Sequence, residues 1–197
     1  MKIISDLLIT ALYTVFVQNL VLSSGLGMSE AIRVSTKPGM FGKFAAMISG
    51  FSVVTSVLCS LIDKIPVMAD VTYAIRAAVY GGILAVVFLV VVIAARFIFK
   101  ASAEFLGTLG IAALNTLVLA VPYINHSAAY SFADSIGSGI GAGIAFVLAA
   151  ALISTGSRLI EENKNIPEIF KGTPTMFLYV AMISLAFAGF SDTNLFA

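Results

Sequence analysis

Asn19, Ser23, Ser24 and Ser29 put amide and hydroxyl groups into the far half of an apolar run that begins near Ile3. The stretch reads Gln18-Asn19-Leu20-Val21-Leu22-Ser23-Ser24-Gly25-Leu26-Gly27-Met28-Ser29, and the first charge after it is Glu30. Such groups bind an ion or a small solute where backbone leaves the helix inside a membrane. Gly25 and Gly27 favour that departure, because glycine weakens a helix by about 1 kcal/mol relative to alanine. Non-helical backbone at that depth persists only where protein or a cavity surrounds it. The stretch is therefore either a broken helix around a site, or a span ending near Ser24 with Gly25 to Ser29 as its loop.

An echo lies further along. Asn115-Thr116-Leu117-Val118-Leu119 resembles Asn19-Leu20-Val21-Leu22, again inside an apolar run, and Pro122 follows it. Proline removes a backbone hydrogen bond from a helix interior, and a buried asparagine is costly unless bonded. Asn19, Ser23, Ser24, Gly25, Gly27, Ser29, Asn115 and Thr116 are the candidates for a cavity near the midplane.

Other reactive residues carry less. The one cysteine, Cys59, lies among Val57, Leu58 and Leu61, as a packed thiol does. His126, the one histidine, has no second metal ligand near it in sequence and reads as a surface residue. Arg76 reads as an interfacial arginine with Asp70 and Tyr73 as neighbours. Asp134 stands one turn before Gly137. No acid falls at a predicted midplane, which argues against a carboxylate ion relay within this chain. No metal site is expected. Gly137, Gly139, Gly141 and Gly143 form overlapping small-xxx-small frames that let helices pack closely. They are not a phosphate loop, since no strand precedes them and no lysine follows.

The elements that must hold these residues are membrane helices. The chain of 197 residues is 60% hydrophobic and 11% charged, and its mean hydropathy is +1.07. Soluble domains carry about 25% charged residues. Six helix-length apolar segments run approximately 3–25, 43–62, 72–97, 103–124, 131–156 and 174–191. The first is longer than the apolar core of a cleavable signal. The linkers leave no room for a soluble module, so the expectation is a single transmembrane domain over 1–197 in the lipid bilayer. A net charge of +1 offers nothing to nucleic acid.

Charge sorts by side. Arg33, Lys37, Lys43, Arg96, Lys100, Arg158, Lys164 and Lys171 follow segments one, three and five, whereas Lys2, Lys64 and Arg76 lie on the other side. The excess predicts that the first group is cytoplasmic and that both termini are outside, in the cell inner membrane. All five Glu fall on the first side and all five Asp on the second, a split without a physical account. The echo at Asn115 suggests two inverted three-helix repeats, about 1–99 and 100–197, with the first and fourth helices broken near the midplane.

Four stretches together resemble the small six-helix membrane subunits of the Rnf and Na⁺-translocating NADH:quinone oxidoreductase (Nqr) complexes. They are Gln18-Asn19 through Ser29; Leu109-Gly110-Ile111 leading to Asn115-Thr116; Gly137 to Gly141 with Arg158; and Ile166-Pro167 through Lys171-Gly172, with Met182 to Ser191. Outward termini look more like the A-type member of Rnf or the E-type member of Nqr than their inverted partners. The resemblance implies pairing with an oppositely oriented homologous subunit, or with a second copy, inside an electron-transport complex whose flavins and iron–sulfur centres lie on partner subunits. It also implies one cysteine from each broken helix toward a shared iron–sulfur centre. Here Ser29 stands at the first position, and Thr116, or Ala120 in an ungapped alignment, at the second. Iron–sulfur clusters need thiolates, so no cofactor is expected on this chain alone and enzymatic activity belongs at most to the complex. Two other readings stay open: a small-solute or ion transporter using the same cavity, and a structural helper pairing through the glycine face.

Overall fold

Each apolar segment becomes a helix or a pair of half-helices in the computed structural model, which describes residues 2–68 and 70–191. Among the described residues no strand is present. The first segment is α1 (Lys2–Phe16) and α2 (Leu20–Ser24), and α3 (Met28–Ser35) follows it. The second is α4 (Phe41–Ile62) and the third α5 (Tyr73–Phe97). The fourth divides into α6 (Ala103–Ala113) and α7 (Thr116–Ser127). Then come α8 (Phe132–Glu162) and α9 (Thr173–Ser191). Five of these segments are long and apolar enough to cross a membrane. The 19 residues of α9 give a sixth, shorter apolar helix. At 1.5 Å per residue it spans about 28 Å, close to a bilayer core. Asp192 lies outside the described residues.

The long helix α8 is the axis of the fold, and its glycines explain why. Gly137 and Gly141 lie against the backbone of α1 at Leu7 and Ala11, so closely that a Cβ on Gly141 would come within 2.8 Å of Ala11 O. Gly139 and Gly143 turn to α4, at Val53 and Ala45, where a Cβ on Gly139 would stand 2.8 Å from the Val53 backbone nitrogen. The two frames thus serve two different neighbours. Ser49 donates to Ile140 O across the α4–α8 seam at 3.3 Å, and Phe44 stacks on Phe146 with centroids 6.1 Å apart. Within its most hydropathic window α8 is 61% buried, whereas α5 is only 17% buried. Val86, Leu89, Val90 and Ile93 of α5 are exposed. An apolar outer face of that extent belongs against lipid or another protein chain.

Candidate functional site

Both breaks are made by the residues that interrupt the apolar runs. Asn19 has extended backbone (φ −71°, ψ 93°) and caps α2: its Oδ1 accepts from Leu22 N–H at 3.1 Å. Its Nδ2 donates back to Val15 O at 3.0 Å, and the residue is fully buried. One side chain thereby serves the end of α1 and the start of α2. Ser23 donates to Asn19 O at 2.7 Å. Gly25 (φ +69°) closes α2 by donating to Leu20 O, and Gly27 (φ +77°) opens α3. These are left-handed positions that suit glycine.

The second break repeats the device. Asn115 is extended, caps α7 and accepts from Leu117 N–H at 2.9 Å. It is buried, and its Nδ2 has no partner among the described residues. The two breaks then touch. Gly27 N–H donates to Thr116 Oγ1 at 3.0 Å, across 89 residues of sequence. A Cβ on Gly27 would stand 2.7 Å from Asn115 Oδ1. The structure therefore brings Gly27, Asn115 and Thr116 into one crossing, and leaves Gly25 exposed beside it. Asn19 and Ser23 direct their polar atoms into the protein's own backbone, and Ser24 and Ser29 are exposed, Ser29 facing Glu30 at 3.3 Å.

An apolar hollow of about 430 Å³ opens beside the crossing, with Leu26, Thr116, Leu119, Ala120, Tyr123 and Ile124 in its wall. Thr116 and Ala120 sit one turn apart on α7 in the same wall.

A family model described as "Rnf-Nqr subunit, membrane protein" matches residues 7–193. The chain belongs to the Rnf-Nqr membrane subunit family. The A-type member of the Na⁺-translocating ferredoxin:NAD⁺ oxidoreductase complex of Acetobacterium woodii is 30% identical over 191 residues, 92% of this chain and 94% of that protein. The A-type member of the ion-translocating oxidoreductase complex of Colwellia psychrerythraea is 28% identical, covering 95% and 97%. The E-type member of the Na⁺-translocating NADH-quinone reductase of Pseudoalteromonas translucida is 27% identical, covering 92% and 95%. For this Rnf-Nqr chain the donor set at the breaks does not fit an iron–sulfur cluster. The side chains present are hydroxyls, amides and a methyl, and soft thiolates are what such a cluster needs. Cys59 is buried in α4 rather than placed at either break. Among the described residues no group of three or more His, Cys, Asp or Glu could hold a metal ion.

A second polar centre corrects two expectations. Arg76 is not an exposed, snorkelling side chain: it is 5% exposed at the start of α5. Its NH1 meets Asp63 Oδ1 at 2.7 Å and its NH2 donates to Met68 O at 2.7 Å. His126 is not a free surface residue either: it is half-buried, with Nδ1 3.1 Å from Asp63 Oδ2 and 3.4 Å from Arg76 NH1. Tyr80 also donates to Asp63. The reason is that burial makes an unpaired charge costly, and Asp63 sits at the C-terminus of α4 where α5 and α7 converge. Asp134 completes the Ser131 cap of α8 and accepts from Thr10 Oγ1 at 2.7 Å, tying α1 to α8.

Proposed function

We propose that this chain is a membrane component of an ion-translocating electron-transport complex of the Rnf/Nqr type, in the position held by the A-type member of Rnf or the E-type member of Nqr, and that it carries no cluster of its own. Family membership supports the assembly. The observation that carries the site reading is the Gly27–Thr116 crossing of two asparagine-capped breaks, with hydroxyls in place of thiols. In this reading the two breaks belong to inverted repeats of about 1–99 and 100–197. The hollow beside Thr116 and Ala120 faces an oppositely oriented homologous subunit, or a second copy. Flavins and iron–sulfur centres sit on partner chains, and this chain supplies scaffold and a path. The assembly lies in the cell inner membrane.

The test is purification of the tagged chain from its native membrane. Homologous membrane and flavin- or cluster-bearing subunits are expected to copurify, and the chain isolated alone is expected to lack iron and visible absorbance. A stoichiometric iron–sulfur signal held by the chain alone overturns the cluster-free reading. A chain that copurifies with no redox protein and moves a solute in liposomes overturns the complex.

A further inference from the structure

We propose that the protein carries a water-filled inlet, entered at Asp63 and His126 and running between α4, α7 and α8 to mid-helix depth beside Ser52. Two hollows meet at that end. The outer one, about 520 Å³, has Val71, Thr72, Tyr73 and Arg76 in its wall. The inner one, about 180 Å³, has Ser56, Ser60, Asn125, Tyr130 and Ser135. Asp63 and His126 line both, so their contact is the partition between outer vestibule and inner chamber.

The inner chamber holds polar atoms that the protein itself does not satisfy. Asn125 is 5% exposed, and neither its Oδ1 nor its Nδ2 has a partner among the described residues. The hydroxyl of Ser56, 1% exposed, is likewise without one. Ser52 and Thr55, deeper along α4 and beyond the chamber wall, are fully buried, with no partner for their hydroxyls among the described residues. Burying polar groups without hydrogen bonds is destabilising, and native proteins rarely tolerate it. Several such atoms grouped along one seam imply a partner from outside the chain.

Charge and size identify that partner. The Asp63 carboxylate already receives Arg76, Tyr80 and His126, and Arg76 balances its charge. Beside Pro122 and Ala129, the other polar groups of the chamber wall are hydroxyl, amide and phenol, offering donors and acceptors together. Burial, with Tyr13 and Asp134 nearby, pushes the Tyr130 phenol above its ordinary range, so it stays a neutral hydroxyl. A resident ion finds no uncompensated charge here. Water suits the mixture, and the chamber has room for several molecules at about 30 Å³ each. From Asp63 to Ser52 is about 16 Å along α4, at 1.5 Å per residue. Water reaching Ser52 from one face would leave only the other half of the membrane as a barrier. This feature stands on the chain's own geometry and does not depend on the complex.

Thiol accessibility tests it in the full-length chain, in liposomes. Ser56→Cys, Asn125→Cys and Ser60→Cys are each exposed to membrane-impermeant methanethiosulfonates, one cationic and one anionic. Native Cys59, buried in α4, sets the baseline, and Val54→Cys on the outer face of α4 is the lipid-facing control. Because the thiolate reacts only where water solvates it, all three inlet variants are expected to react at least about tenfold faster than either control. Reaction is expected from one side of the membrane only, at similar rates with both reagents. Rates equal to the controls at all three positions overturn the inlet. A strong preference for the cationic reagent overturns water as the occupant and puts a cation there. Ser60 is half-buried at the chamber's edge, so its variant keeps the test decisive if the two deeper ones fail to fold.

Discussion

Gly25 and Gly27 share a left-handed backbone but not a neighbourhood. Nothing lies within 4 Å of a Cβ built on Gly25, whereas one on Gly27 meets Asn115 Oδ1 at 2.7 Å. Gly25→Ala should cost about 1–2 kcal/mol, the backbone penalty alone. Gly27→Ala should add the loss of the crossing and lower the unfolding midpoint in detergent well below that of Gly25→Ala. Equal midpoints would show that the Gly27–Thr116 contact contributes nothing to stability. Arg76 and Asp63 offer a second comparison. Removing one partner of a buried ion pair costs about 3–5 kcal/mol, because the other is left charged and unpaired. Arg76→Met alone should therefore destabilise strongly, and Asp63→Asn added to it should restore much of the loss. A double variant no more stable than Arg76→Met would mean that Asp63 is solvated without its partner.

At the level of elements, α8 is held by atoms that glycine lacks. Gly139→Leu should prevent α4 from seating, since even a Cβ meets the Val53 backbone. It should abolish the monodisperse peak in size-exclusion chromatography. Gly50→Ala on α4, with open space around it, should instead leave the fold intact and gain up to about 1 kcal/mol of helix propensity. The helix count, the glycine faces and the breaks at Asn19 and Asn115 were legible in the sequence because each is encoded locally. An amide that caps, a glycine that takes a positive φ and a stripe of small residues all act within one or two turns. The Asp63 centre was not legible. Arg76 lies 13 residues from Asp63 and His126 lies 63 from it, and their helix ends meet only after the bundle packs. Asp70 and Tyr73, nearer to Arg76 in sequence, were the misleading neighbours. The same reason hid the inner chamber: Ser56 and Asn125 are ordinary residues of apolar helices until α4 and α7 lie side by side.

For the whole molecule, the question that remains is which way it faces. Its two ends differ in chemistry. One gathers Arg33, Lys37 and Glu104 around a shared hollow; the other holds Asp63, Arg76 and His126. The Lys and Arg excess at the first end predicts that this end is cytoplasmic, because positive loops are retained there. Lys37 and Ser127 are both exposed, at opposite ends of the bundle. Lys37→Cys should react with an impermeant maleimide only from the cytoplasmic side, and Ser127→Cys only from the outside, with native Cys59 silent in both. Labelling of position 127 from the cytoplasm alone would invert the molecule. It would also turn the inlet at Asp63 and His126 toward the cytoplasm. The orientation thus decides from which face water approaches Ser52.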